Sequence, residues 1–211
     1  MDSLEKQLAM KTLNELMILS DKADWGHNYC VHYEKWFESL RNEVFTFMEL
    51  GIENGDSLRG WRDYFSVTEI IGVDNVESKL VFENRIYSYC CDQSDEKGLS
   101  RICLVDNPLV IVDDASHISS LTIKTFEILF PLLKSGGLYC IEDLSCSYRN
   151  GFEGSQNLTS LKEPTIMNYL FEMVHSINNP QYGIAGYTQP DKWKDIEGVH
   201  FYPELVIIKK K

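Results

Sequence analysis

Two acidic blocks hold most of the reactive side chains of this chain. Ile111-Val112-Asp113-Asp114-Ala115-Ser116-His117 and Ile141-Glu142-Asp143-Leu144 each place carboxylates just past a short apolar run. In an open parallel sheet, ligands bind at the carboxyl ends of the strands. Carboxylates gathered at neighbouring strand ends repel one another unless a cation lies between them. Such hard oxygen ligands suit magnesium, calcium or manganese rather than zinc. His117 follows Asp114 closely and adds an imidazole that could serve as a base. A cation and a base together suit chemistry on a hydroxyl group. Each residue also has a plainer reading: Asp113 and Asp114 as caps of the next helix, Glu142 and Asp143 as solvated loop acids, His117 as a satisfied histidine at a helix start.

The surrounding pattern supplies the elements that would position these groups. Residues 2–19 read as an amphipathic helix with Leu4, Leu8, Leu13, Leu16 and Met17 on one side, and a second helix with Tyr33, Trp36 and Phe37 follows near 31–40. Apolar, β-prone runs come at 44–50, 69–73, 85–90, 109–112 and 138–141. Helices are expected over 57–64, with Ser57 as N-cap, over 119–133, and over 164–177. The tail reads as two strands, 182–187 and 200–209. Strand–helix alternation is the signature of a parallel α/β sheet with right-handed crossovers, and unbroken apolar runs fit strands buried on both faces. The polar stretch 145–163 reads as a long loop or lid over the carboxyl edge.

Glu49-Leu50-Gly51-Ile52-Glu53-Asn54-Gly55-Asp56-Ser57 links the first strand to its helix. Its glycines allow a tight turn and close approach to a ligand. It lacks the middle glycine of the dinucleotide pattern, and its acids would be costly beside a pyrophosphate. They are acceptable beside a sulfonium or an amino group, which favours S-adenosylmethionine over NAD. Asp74 ends the second strand, where a carboxylate accepts ribose hydroxyls. Asp92 and Gln93, after the third strand, are placed to meet an adenine edge.

These stretches together resemble a known family: class I S-adenosylmethionine-dependent methyltransferases, and within them the magnesium-dependent sugar O-methyltransferases of macrolide biosynthesis, of the mycinamicin and macrocin type. The cephalosporin hydroxylase-like proteins share that core. The matching segments are Ser20-Asp21-Lys22 with His32-Tyr33-Glu34, Glu49 to Ser57 with Trp61 to Phe65, Ile71 to Asp74, Asp92 to Asp95, Val112 to His117, Gly136 to Tyr139, and Ile141 to Leu144. Ala115 and Cys91 stand where the family usually has glycine. The resemblance implies a Rossmann-like α/β fold with a seven-stranded, mostly parallel sheet and N-terminal helices. It divides the chain into a helical segment, 1–42, and a methyltransferase domain, 43–211, with the lid at 145–163. It makes Asp114, Glu142 and Asp143 the ligands of Mg2+ or another hard divalent cation and His117 the general base. Glu49, Gly51, Gly55, Ser57, Asp74, Asp92, Gln93 and Asp113 would hold S-adenosylmethionine. Tyr33 and Tyr148 are candidate acceptor contacts. The implied reaction methylates a sugar hydroxyl of a glycoside, nucleotide-sugar or polysaccharide. A catechol acceptor, or a non-catalytic partner of a hydroxylase, remains open at this point.

The chain has 211 residues, enough for one sizeable domain, and 32 acidic against 20 basic side chains give a net charge of −12. That balance argues against nucleic acid or an anionic membrane as partner, since both need clustered cations. No signal peptide and no membrane span are expected. Six cysteines without metal-site spacing fit a reducing cytoplasm, with Cys103 and Cys140 in the core. Asn157-Leu158-Thr159 is a glycosylation sequon by pattern only. The apolar side of the first helix suggests a homodimer or larger assembly.

Overall fold

A computed structural model describes residues 11–104, 106–157, 163–179 and 188–211. It contains helices α1 (Leu13–Leu16), α2 (Cys30–Phe37), α3 (Asp56–Tyr64), α4 (Glu96–Cys103), α5 (Ser119–Leu129) and α6 (Ile166–Asn178). The strands are β1 (Thr46–Leu50), β2 (Glu69–Asp74), β3 (Ile86–Cys90), β4 (Val110–Asp113), β5 (Leu138–Ile141), β6 (Ile196–Tyr202) and β7 (Leu205–Lys210). Their order, β3-β2-β1-β4-β5-β7-β6, is that of a seven-stranded, Rossmann-like sheet. Within it β1, β2 and β3 pair in parallel, as do β4 and β5, while β7 runs antiparallel to β5 and β6.

The chain forms two compact units, Met1–Asp92 and Gln93–Lys211. Of the helical segment expected over 1–42, the described residues 11–42 belong to the first unit with β1 to β3. Its aromatic residues explain why: Tyr33 and Phe37 stack at 5.1 Å, and both meet the Trp61 ring of α3 edge-on. Phe47 of β1 lies 4.9 Å from Trp61, and all four side chains are fully buried. Truncating one such buried aromatic costs about 3–5 kcal/mol. Tyr33 is therefore part of this core, and the expectation that it contacts an acceptor is corrected by its burial.

Further boundaries differ from the sequence reading. The first helix is described only from Leu13, with Thr12 and Glu15 forming a reciprocal capping box. Leu4 and Leu8 lie outside the described residues. Leu13, expected on an outward apolar face, is fully buried. Helix α3 begins one residue before Ser57, with Gly55 as its N-cap at φ 76°. A Cβ on Gly55 would stand 2.6 Å from Val81 Cγ2, so the position takes only glycine.

The second unit has its own aromatic core. Phe126 of α5 lies 4.8 Å from Phe130 and 5.0 Å from Tyr139 of β5, and Tyr169 of α6 meets Trp193 at 4.9 Å. The run expected as one strand over 200–209 is broken at Pro203-Glu204, where Glu204 adopts φ 59°, so the chain turns back as the β6–β7 hairpin. The other expected tail strand, 182–187, lies outside the described residues. Cys103 and Cys140 are buried as expected, and none of the six cysteines forms a disulfide.

Candidate active site

In the first unit, β1 delivers Glu49 to the start of the glycine loop. Its carboxylate is wholly buried. Oε1 lies 3.3 Å from Lys22 Nζ, itself 1% exposed, and Oε2 accepts a hydrogen bond from the Ser57 hydroxyl at 2.8 Å. Ser57 thus sits inside the first turn of α3 and holds Glu49, a different job from the helix cap expected of it. Gly51, at φ 92°, turns the chain out of β1 while its N–H stays bonded to the Val73 carbonyl at 2.8 Å.

Asp74 closes the same loop from the end of β2. Its Oδ2 accepts from the Ile52 N–H at 3.0 Å and its Oδ1 from the Val76 N–H at 2.9 Å. Two backbone amides fix the carboxylate, and its remaining lone pairs are the ones a ribose could use. Asp92, just past β3, is exposed.

The second unit carries the acidic blocks. Strands β4 and β5 pair in parallel with Asp113 opposite Ile141, and the ladder continues as the Glu142 N–H bonds to the Asp113 carbonyl at 3.1 Å. Asp114 and Asp143 therefore leave the sheet at one carboxyl edge. Asp114, His117 and Asp143 present ligand atoms that all lie within 4.8 Å of one another. His117 Nε2 is 3.5 Å from Asp143 Oδ2, and both side chains are about one-fifth exposed. Two carboxylates and an imidazole at this spacing fit a hard or borderline divalent cation, with water in the open positions. Glu142 is not in this group; its side chain is buried.

Both His117 and Asp143 are non-glycine residues in the left-handed region, at φ 57° and 55°. Such a conformation costs on the order of 1–3 kcal/mol and persists only where the surroundings enforce it. Around Asp143 the β6–β7 turn does so: the Leu144 N–H bonds to the Glu204 carbonyl, and Ser145 Oγ donates to Glu204 Oε2 at 2.9 Å. Asp113 is buried, and Tyr139 donates its hydroxyl to Asp113 Oδ2 at 3.2 Å. Burial pushes the Asp113 carboxyl up to about 7, partly offset by that hydrogen bond.

The stretch expected as an open lid is partly ordered. It forms 3-10 turns at Leu144–Tyr148 and Asn150–Phe152. The Ser120 N–H in the first turn of α5 donates to Glu153 Oε2 at 3.0 Å, and the Phe152 ring lies 6.2 Å from the His117 ring. Tyr148 is 39% exposed. Residues 158–162, including most of the sequon, lie outside the described residues. Sequence reasoning missed Lys22, Glu153 and Glu204: each acts through a partner far away in the chain, and no local motif marks that pairing.

No protein-family model matches the chain. Over 202 residues it is 32% identical to the 8-demethyl-8-alpha-L-rhamnosyl tetracenomycin-C 2'-O-methyltransferase of Streptomyces olivaceus, covering 91% of this chain and 52% of that protein. Over 213 residues it is 30% identical to the demethylmacrocin O-methyltransferase of Streptomyces fradiae, covering 96% and 54%. Among solved structures, MycE methyltransferase from the mycinamycin biosynthetic pathway, in complex with Mg, SAH and mycinamycin VI, matches with a TM-score of 0.84 at 29% identity, over 95% of this chain and 54% of that one. The chain spans about half the length of the curated relatives it matches.

Proposed function

We propose that this chain, a relative of antibiotic-sugar O-methyltransferases with the class I methyltransferase fold, uses S-adenosylmethionine and a divalent cation to methylate a sugar hydroxyl. The observation that carries the proposal is the grouping of Asp114, His117 and Asp143 at the carboxyl edge of β4 and β5. S-adenosylmethionine would supply a methyl group on a positively charged sulfur. A bound Mg2+ would lower the pKa of an acceptor hydroxyl and fix its direction.

The chain's own residues do the rest. Asp114 and Asp143 would hold the cation, while buried Glu142, expected as a third ligand, stands outside their group. His117 is assigned as the base that takes the hydroxyl proton, with Asp143 Oδ2 3.5 Å from its Nε2 to orient the ring. The methyl group would pass from that sulfur to the acceptor oxygen, and the sulfonium would leave as a neutral thioether. Glu49, Gly51, Gly55, Ser57, Asp74 and Asp92 are assigned to the cofactor, and Asp113 to orienting its methionine end. Phe152 and Glu153 anchor the 145–157 stretch beside His117, and the exposed Tyr148 is assigned to the acceptor.

The test is homocysteine-coupled turnover on a panel of rhamnosylated and other glycosylated acceptors beside catechols, with Mg2+ and with EDTA. Turnover on glycosides that EDTA and Asp114→Ala both abolish is expected. Full activity of Asp114→Ala in EDTA overturns the metal mechanism, and turnover confined to catechols overturns the sugar assignment.

The same proposal includes a homodimer or larger assembly through exposed Ile18, Leu19 and Trp25, in place of the buried Leu13. A monomer mass by light scattering at micromolar concentration contradicts it. A cytoplasmic location suits six cysteines without a disulfide, and the net charge of −12 suits a partner other than nucleic acid. Among the described residues, no helix is long and apolar enough to cross a membrane.

A further inference from the structure

Gln93 was expected to meet an adenine edge, yet its side chain is occupied within the second unit. It is 7% exposed. Its Nε2 donates to Thr125 Oγ1 at 3.0 Å, and Thr125 Oγ1 is also within reach to donate to the Gln93 carbonyl at 3.0 Å. Its Oε1 accepts the Ser116 N–H at 3.2 Å. Thr125 lies on α5, so the amide bridges a rigid helix to the loop that runs from Asp114 to His117. On the far side of His117, the Ile118 N–H bonds to Ser116 Oγ at 3.3 Å. His117 is thus held at φ 57° between two tied residues; the Gln93 amide ties the loop to the protein body beside the Ala115 N–H bonded to the Asp113 carboxylate and the Thr122 N–H bonded to the Ile118 carbonyl.

We infer that Gln93 is a positioning residue for the Asp114–His117 loop rather than a cofactor contact. The inference rests on the proposed function for its catalytic consequence, though not for its effect on cation binding. A buried amide with both ends bonded sets a loop more tightly than an exposed one, because breaking either bond leaves a buried polar group unsatisfied. A displacement of about 1 Å at a reacting group costs on the order of 100-fold in rate. The loop carries Asp114 and His117 together, so loosening it degrades both cation binding and proton removal.

The experiment compares wild type, Gln93→Met, which fills the same space without either side-chain bond, and Thr125→Val, which removes the helix anchor and leaves Gln93 intact. Three quantities are read: S-adenosylhomocysteine affinity by calorimetry, Mn2+ affinity by electron spin resonance on the protein without acceptor, and kcat on the best acceptor of the panel. Expected for Gln93→Met is Mn2+ affinity weakened roughly 10-fold and kcat lowered roughly 10- to 100-fold, with homocysteine-product affinity within about 2-fold of wild type. Thr125→Val follows in the same direction by a smaller factor and carries the test if Gln93→Met fails to fold. Product affinity weakened 10-fold with Mn2+ affinity and kcat unchanged assigns Gln93 to the cofactor and overturns the inference. A lowered melting temperature with all three quantities unchanged reduces Gln93 to a structural residue and overturns it too. If wild type turns over no acceptor, the proposed function fails, while the Mn2+ measurement still decides the inference.

Discussion

Replacing Lys22 by methionine should be among the most costly single changes outside the aromatic core. Its ammonium lies 3.3 Å from Glu49 Oε1, with the two side chains 1% and 0% exposed. Water cannot replace a lost partner at that depth. Breaking such a pair from one side typically costs about 3–5 kcal/mol, chiefly the penalty of an uncompensated buried charge, whereas removing both charges together is often near neutral. For a chain of 211 residues, each kcal/mol moves the melting temperature by about 2–4 °C. Lys22→Met should therefore lower it by about 6–20 °C. Glu49→Gln, which still accepts from Ser57, should cost a similar amount by removing the charge that faces Lys22. The double variant should recover most of either loss, giving a coupling energy of at least about 2 kcal/mol. Urea titrations of the four proteins, followed by tryptophan fluorescence, measure the cycle. Losses below about 1 kcal/mol, or an additive double variant, would refute the reasoning and mean that water reaches the pair.

Two further perturbations test the folded-back stretch beside His117. Glu153 accepts hydrogen bonds from Ser120, which hold its carboxyl below the ordinary carboxylate range. A depressed carboxyl stabilises the folded state above its unfolded pKa, near 4.3, and loses that contribution as pH falls through the folded value. Glu153→Gln should thus melt below wild type at pH 7, with the gap closing as the pH drops below 4 in paired thermal scans. Gly154→Ala would bring a Cβ to 2.5 Å from both the Arg149 nitrogen and the Ser147 carbonyl oxygen, backbone atoms that cannot swing aside. A loss of about 1–3 kcal/mol is expected by urea titration, with lowered turnover if the stretch shields the base.

Most of the fold was legible because its strands are short apolar runs with clear punctuation. Residues 138–141 were read to their observed ends, since Gly136-Gly137 precedes them and the acidic pair follows. Helix α4 escaped notice: Leu99, Ile102 and Cys103 form its buried face, but Glu96, Lys97 and Arg101 dilute the period over so short a span. The β6–β7 turn was hidden because an apolar run on each side of Pro203-Glu204 reads as one strand. At the site, the two acidic motifs were visible as sequence. Which acids converge was not, because Glu142 and Asp143 are adjacent in the chain and only the folded backbone decides that Asp143 joins Asp114 and His117 while Glu142 is buried. The partners of Gln93 were hidden for a related reason. Its position after β3 suits a base contact, but its hydrogen bonds are set by α5, more than 25 residues further along.

The most direct measurement of the central claim is calorimetric titration of S-adenosylhomocysteine into the metal-free protein, repeated with Mg2+, with NAD as control. The account predicts binding of S-adenosylhomocysteine in both states and none of NAD. Absence of binding in both metal states would contradict the cofactor assignment of the glycine loop and Asp74 together, leaving Asp114, His117 and Asp143 as a cation site serving some other chemistry.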